Sequence, residues 1–154
     1  MATLEERAKT FLALPRIAVA GGARKGDTAA NAIYRKLRKT DSTVVPINPH
    51  ADSVEGDHCY PSLAAVPGGV DAVVIGTPPA ATLALVQECV ALNIRHVWIH
   101  QSIGRGSYNA EAVALAEAHG ITVIPGGCPM MFSEPVDVPH KCLRWFLNWR
   151  GKLP

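Results

Sequence analysis

The sequence lacks the features that mark several functional classes. Its 154 residues contain four cysteines that lie far apart and form no C-x-x-C pair: Cys59, Cys89, Cys128 and Cys142. The simplest expectation is reduced thiols in a cytoplasmic protein. No apolar run is long enough to span a bilayer. The N-terminus begins with a helix capping box, Thr3 to Glu6, rather than a signal peptide.

An excess of charge of one sign is also missing. Fifteen Lys and Arg residues nearly balance thirteen Asp and Glu residues, which leaves a formal charge of +2. The basic residues are scattered, apart from a group between Arg35 and Lys39 that is expected to form a solvated helix face. No basic stripe interleaves with aromatic residues, so neither nucleic acid nor a membrane is expected as a partner.

The pattern that is present alternates helical and β-prone segments along the chain. Helices are predicted over 4–12, 28–39, 79–93, 109–119 and 139–149, and strands over 16–20, 43–47, 72–76, 96–100 and 121–125. The strands are continuous apolar runs, which indicates burial on both faces. We predict one α/β domain over 1–154, with a Rossmann-like, doubly wound parallel five-stranded sheet in the order 3-2-1-4-5 and helices on both faces.

The most informative segment is a glycine-rich turn after the first predicted strand. The segment reads Gly21-Gly22-Ala23-Arg24-Lys25-Gly26-Asp27-Thr28, and a helical pattern follows it directly. A strand, a glycine turn and a helix N-terminus bring backbone N–H groups together, an arrangement that suits a phosphate. Arg24 and Lys25 can pair with phosphate oxygens. The spacing matches neither G-x-G-x-x-G nor the P-loop, so a turn without a ligand remains an alternative.

Polar and small residues follow the other predicted strands as well. Ligands of such sheets bind beyond the carboxyl ends of the strands, at a switch point that we expect between the first and fourth strands. The segments that follow the second to fifth strands include Asn48-Pro49-His50, Thr77-Pro78-Pro79, His100-Gln101-Ser102 and Gly127-Cys128. Thr77 could instead cap the following helix. No acidic residue occupies the position of Asn48, where NAD-binding domains hold the ribose, so ordinary NAD or NADP binding is disfavoured.

Several motifs in this order carry a resemblance to a known family. They are Gly21-Gly-Ala-Arg-Lys25, Val45-Pro-Ile-Asn-Pro49, Gly56-x-x-Cys-Tyr-Pro-Ser-Leu63, Val70-Asp-Ala-Val-Val74, His96-Val-Trp-Ile99 and Gly127-Cys-Pro129. From about Arg16 to Pro129 the chain resembles the small stand-alone CoA-binding domain proteins, which are related to the CoA-binding domain of the succinyl-CoA synthetase α subunit. The family's G-A-S-x-K turn reads Gly22-Ala-Arg-Lys25 here, and its W-[LI]-Q motif appears as Trp98-Ile-His100 with Gln101 one place later.

The resemblance implies a module that binds CoA or an acyl-CoA without catalysis of its own. It implies a pyrophosphate over the turn, ribose or adenine near Asn48 and His50, and an apolar ledge formed by Thr77 and the two prolines after it. The residues at the end of the fourth strand would border the distal cleft. The implied ligand-binding residues are Gly21, Gly22, Ala23, Arg24, Lys25, Asp27, Thr28, Asn48, Pro49, His50, Thr77, Pro78, Pro79, His100, Gln101 and Cys128.

Other interpretations of these residues stay open. The glycine turn would also serve an NAD(P)-dependent oxidoreductase, or an interaction subunit whose nucleotide fold is empty. Cys128 is either an inert buried cysteine or a partner for the CoA thiol in a mixed disulfide. His96 and His100 are read as core histidines rather than metal ligands, and Glu134 with His140 as an unproven acid–base pair. No catalytic or metal site is predicted. The apolar C-terminal helix packs on the domain or joins a second subunit, as a homodimer or with a partner.

Overall fold

The computed structural model describes residues 2–101, 106–133, 136, 138–151 and 153–154. Its helices are α1 (Leu4–Leu12), α2 (Ala29–Leu37), α3 (Pro79–Ala91), α4 (Ala110–Ala118) and α5 (Val138–Trp149). Its strands are β1 (Arg16–Ala20), β2 (Thr43–Ile47), β3 (Ser53–Val54), β4 (Asp57–His58), β5 (Ala72–Ile75), β6 (His96–Ile99) and β7 (Thr122–Pro125). A 3-10 turn covers Pro129–Met131. The two-residue strands β3 and β4 form an antiparallel ribbon that the sequence pattern did not predict.

The main sheet has five parallel strands in the order β2-β1-β5-β6-β7, with helices on both faces. The predicted α/β class and its five-stranded parallel sheet are therefore confirmed. Counted over the five predicted strands, the observed order is 2-1-3-4-5, so the predicted order 3-2-1-4-5 is wrong. The switch point consequently lies between β1 and β5, where the first and third predicted strands meet.

A proline in β2 gives the physical reason why this strand lies at the edge of the sheet. Pro46 has no N–H, and a proline inside a sheet is tolerated at an edge strand where the missing donor faces outward. The Pro46 carbonyl accepts a hydrogen bond from the Tyr60 N–H at 3.0 Å, on the side of β2 away from β1. If the second strand lay between two neighbouring strands, one of its two hydrogen-bond ladders would lack a donor at Pro46.

Side chains alternate across the sheet and form two cores. Ile17 and Val19 of β1 belong to the core beneath α1, α2 and α5, while Ala18 and Ala20 belong to the core beneath α3 and α4. The fully buried Trp98 anchors the first core, and its indole N–H donates to the Gly126 carbonyl at 2.9 Å. Because α2 follows β1 and α3 follows β5, both helices begin at the carboxyl edge, on opposite sides of the sheet. No helix within the described ranges is long and apolar enough to cross a membrane.

Candidate functional site

The carboxyl ends of β1 and β5 approach so closely that the turn after β1 requires glycine. Gly21 has φ of +105°, and a Cβ there would lie 2.5 Å from the carbonyl oxygen of Gly76. A Cβ on Gly76 would in turn lie 2.9 Å from the Cβ of Ala30 in α2. Both positions therefore require glycine for steric reasons. The missing side chains let the turn, the end of β5 and the start of α2 lie close together.

A buried asparagine that the sequence analysis missed fixes the shape of the turn. Asn31 of α2 is 1% exposed, and its amide oxygen accepts from the Ala23 N–H at 2.8 Å. Its amide nitrogen donates to the Ala23 carbonyl at 2.9 Å. Thr28, the N-cap of α2, accepts from the Asn31 N–H and donates to the Asn31 amide oxygen. The only sequence signal for this arrangement is a threonine N-cap followed three residues later by an amide on the core side of the helix.

Asn48 connects the same turn to the end of β2. Its amide nitrogen donates to the Gly22 carbonyl at 2.8 Å, and its amide oxygen accepts from the His50 N–H at 2.8 Å. The Asn48 side chain, which was predicted to contact a ribose or adenine, therefore also stabilises the turn by a hydrogen bond. His50 and Pro49 are exposed beside it.

The turn offers positive charge and unused donors. Arg24 and Lys25 are exposed, and no residue that the structure describes pairs with either of them. Within the same described set, no acceptor binds the backbone N–H groups of residues 22 and 24–27. Asp27 differs from these residues because its carboxylate pairs with Arg35 at 2.7 Å. The turn therefore carries the donors and cations that an anion requires, next to the N-terminus of α2.

An ionic network fastens the β3–β4 ribbon to α2 beside the turn. Arg35 bridges Asp27 and Glu55, and Arg38 binds both the Glu55 carbonyl at 2.9 Å and the Asp57 carboxylate at 3.2 Å. The Tyr34 hydroxyl donates to Asp57 at 2.6 Å. This hydrogen bond, followed by that from Arg38, holds the pKa of Asp57 below its usual value. Burial and the same carboxylate raise the pKa of Tyr34.

Substitution Tyr34→Phe is expected to lower the free energy of unfolding by about 1 kcal/mol at pH 7. The pKa of Asp57 is lower in the folded state, so its contribution is present above the unfolded value near 3.9 and is lost as pH falls through the folded value. The difference between variant and wild type should therefore shrink below about pH 4. Urea unfolding from pH 2.5 to 7 measures it, and a difference that stays constant over this range would contradict the role given to Asp57.

A cavity of about 500 Å³ opens beside the turn, at the carboxyl ends of β1 and β2 and against the first turns of α3. The predicted residues that line it are Gly21, Asn48, Pro49, His50, Thr77 and Pro78. Ala81, Ala84 and Leu85 of α3 add an apolar wall, and Glu88, whose carboxylate accepts from the Ala64 N–H, lies at one end. The volume is within the range of small-ligand sites, and the apolar wall suits an uncharged, flat group.

Thr77 supports the cavity from the start of α3. Its hydroxyl lies 3.3 Å from that of the buried Thr82, which donates to the Ser107 carbonyl at 2.8 Å. The N-cap of α3 is Pro78, without a side-chain capping bond, and Pro79 is the first helical residue. The alternative reading of Thr77 as the helix cap is therefore wrong.

Three of the other predicted residues, His100, Gln101 and Cys128, form a second group that does not line this cavity. Gln101 donates its N–H to the Gly127 carbonyl at 2.9 Å, which joins the ends of β6 and β7. Cys128 is 4% exposed and belongs to the core on the α5 side. Burial, followed by the charge of His140, lowers the pKa of His100. Within the described ranges, no three His, Cys, Asp or Glu side chains converge as metal ligands. Ser102 and Glu134 lie outside the described residues.

A parallel α/β sheet with a glycine turn before its second helix and a cavity at its carboxyl edge is the architecture of nucleotide-binding domains. The chain belongs to the CoA binding domain family, whose model matches residues 15–134. The resemblance seen in the sequence motifs is thereby confirmed.

Relatives of known structure or function agree with this membership. The chain is 25% identical over 126 residues to acetate–CoA ligase (ADP-forming) I of Archaeoglobus fulgidus, covering 78% of the chain and 18% of the ligase. A hypothetical protein from Pyrococcus horikoshii OT3 is 26% identical with a TM-score of 0.78, over 88% of this chain and 93% of that one. The dinucleotide-forming acetyl-coenzyme A synthetase 1 of Ca. Korarchaeum cryptofilum, in complex with phosphate and ADP, is 27% identical with a TM-score of 0.63, over 79% and 27%. The chain thus spans less than a fifth of the curated ligase it matches.

Proposed function

We propose that this chain binds CoA or an acyl-CoA through the glycine-rich turn and the adjoining cavity, and that it binds without catalysis of its own. The observation that carries the proposal is the position of the turn, with its unused N–H donors and the cations Arg24 and Lys25, at the edge of an apolar cavity. CoA combines a pyrophosphate with an uncharged adenine and a long amide arm. Membership of the CoA binding domain family supports this choice of ligand.

In this proposal the turn holds the pyrophosphate and the cavity holds an uncharged part of the ligand. The start of α2 contributes about 0.3–1 kcal/mol to an adjacent anion, and Arg24 can bind phosphate oxygens with two donors. Asn48 and His50 stand at the cavity wall, where a ribose or adenine offers acceptors. Thr77 and Pro78 line the same cavity and would form the apolar ledge. The group at His100, Gln101 and Cys128 would meet only a ligand that extends past the β6 end.

The proposal is restricted to binding because the ligase match concerns only one part of the ligase. The matched part is 18% of the length of the ligase from Archaeoglobus fulgidus, so the match carries no argument about the activity of the whole ligase. We therefore assign to this chain the part of the reaction that concerns holding CoA, and no residue is proposed to act on a substrate.

Thermal unfolding with CoA, acetyl-CoA, ADP, NAD and NADP at equal excess tests the proposal. CoA at 100 times its Kd should raise the free energy of unfolding by about 2.7 kcal/mol, which is about 5–11 °C in Tm. Lys25→Ala should lose most of this shift. Lys39→Ala, which removes the same charge from an exposed position after α2, should keep it.

Each other result points to a different function. A shift with NAD and none with CoA would replace the proposal by the oxidoreductase. No shift with any of the five compounds would leave an interaction subunit with an empty nucleotide fold. An equal loss of the CoA shift in the Lys25 and Lys39 variants would show that general charge, rather than the turn, attracts the ligand.

A further inference from the structure

The helix α5 has two apolar faces, and the residues that the structure describes cover only one of them. Leu147, 2% exposed, and the half-buried Leu143 pack against the domain. The other side, here called the outer face, consists of Val138, Cys142, Trp145, Phe146 and Trp149. At 3.6 residues per turn these five residues fall within an arc of about 100°. Trp145 and Trp149 are 68% and 70% exposed, and Val138 is 71% exposed.

The aromatic side chains of the outer face are already arranged as a surface. The rings of Trp145 and Trp149 are parallel within 3°, with centroids 6.2 Å apart. Phe146 lies 6.4 Å from Trp149, and the Arg150 guanidinium lies 5.7 Å from the Phe146 ring. Three of the chain's nine Trp, Tyr and Phe residues (three of each type) are thus exposed on one helix face. A contiguous exposed patch of this kind marks an interaction surface.

We propose that a second copy of this chain covers the outer face, in a twofold dimer in which the α5 helices pack antiparallel. In such an interface each patch is complementary to itself. If the twofold axis passes near Trp145, the residue four positions before Trp145 in one copy lies opposite the residue four positions after Trp145 in the other copy. Lys141 of each copy then lies beside the partner's Trp149, which is a favourable cation–π pair, and no two cations face each other.

The charges around the outer face favour a second copy over an acidic partner or an anionic membrane. The outer face itself contains no charged residue. Three described cations lie on α5 or just after it. Arg144 pairs with Glu5 at 3.2 Å and lies 4.5 Å from the Phe132 ring, Arg150 lies over Phe146, and Lys141 is exposed. Arg144 and Arg150 are engaged within the chain, so of these three cations only Lys141 could attract an anionic surface, and the dimer places it beside the partner's Trp149.

The surface area of the outer face sets the expected affinity of the dimer. Each exposed aromatic side chain contributes at most 150–250 Å². Covering the outer faces of two copies would therefore remove on the order of 1,000 Å² from water, which is the lower limit for a specific interface. We expect a dimer with a Kd in the micromolar range, formed and lost as the protein concentration changes.

The dimer would leave the cavity open. The helix α5 packs in the core on the α1 and α2 side of the sheet, whereas Leu85 and the other α3 residues that line the cavity lie on the opposite side. Loss of the dimer should therefore not change a Tm shift caused by CoA, so the two proposals fail independently.

Sedimentation equilibrium from 2 to 500 µM tests the dimer. The wild type should change from the monomer mass to twice that mass, and tryptophan emission should shift to shorter wavelength over the same range, because Trp98 is buried already and the other two tryptophans are not. The double variant Trp145→Glu/Trp149→Glu should remain monomeric, and at a protein concentration below the dimer Kd it should unfold at the wild-type Tm. Leu92→Glu, at an exposed apolar residue at the end of α3, should dimerise normally.

Three results would overturn the proposal. They are a wild type that is monomeric at 500 µM, a double variant that dimerises like the wild type, and a monomeric wild type that sediments with phosphatidylserine vesicles. The last result would assign the outer face to a membrane surface.

Discussion

Substitution Gly21→Ala is expected to lower the free energy of unfolding by about 3–5 kcal/mol and to abolish any CoA-dependent shift in Tm. The methyl group would be placed 2.5 Å from the carbonyl oxygen of Gly76, at a φ of +105° that alanine rarely adopts. The oxygen is a backbone atom and the position of a Cβ is fixed by its own backbone, so no side-chain rotation relieves the overlap. Relief requires separating the ends of β1 and β5, where the candidate site lies. Urea unfolding monitored by circular dichroism measures the loss.

A glycine that also has a positive φ but has free space around it provides the control. Gly69 has φ of +70°, and nothing lies within 4 Å of the position that its Cβ would occupy. Gly69→Ala should therefore cost only about 1 kcal/mol, the price of the left-handed conformation. If the two variants lost equal stability, the close approach of β1 and β5 would have no energetic consequence.

Substitution Asn31→Ala is expected to lower the free energy of unfolding by about 2–3 kcal/mol and to weaken CoA binding through the shape of the turn. The alanine would leave the N–H and the carbonyl of Ala23 without the partners that now lie at 2.8 and 2.9 Å. It would also remove the amide that helps to lower the pKa of Glu55, after the larger effect of Arg35. Denaturant unfolding and the CoA titration give the two readouts.

Gln87→Ala is the matched control for Asn31. It also replaces a helical amide by a methyl group, but at an exposed position of α3, so its effect should stay within about 0.5 kcal/mol. If Asn31 positions the turn, Asn31→Ala should weaken CoA binding even under conditions where most of the variant is folded. Undiminished binding by the folded variant would show that Asn31 supports α2 alone.

The helices and their ends could be predicted because their determinants are local. The capping box of Thr3 and Glu6 and the Asn109 cap of α4 form as the sequence indicated. The continuous apolar strands between these helices predicted the parallel α/β class. The β3–β4 ribbon could not be predicted in this way, since two-residue strands have no period. It is held by the burial of Val54 in the core and by ion pairs of Arg35 with Glu55 and of Arg38 with Asp57.

The strand order is an intermediate case. Alternating strands and helices with right-handed crossovers are compatible with 3-2-1-4-5 and with 2-1-3-4-5, so the alternation alone does not choose between them. Pro46 carried the missing information, because only an edge strand tolerates its lost N–H there. The sequence contained this determinant, although the prediction did not use it.

The sequence by itself determined which residues follow each strand, and therefore which ones stand at the carboxyl edge. Only the tertiary structure decided their grouping. It brought Gly21, Asn48 and Thr77 to one cavity and set His100, Gln101 and Cys128 apart. It also gave Asn31 its position under the turn and left the outer face of α5 uncovered. The physical reason is that secondary structure follows short-range periodicity and capping, whereas grouping depends on strand order and on contacts between residues distant in the chain.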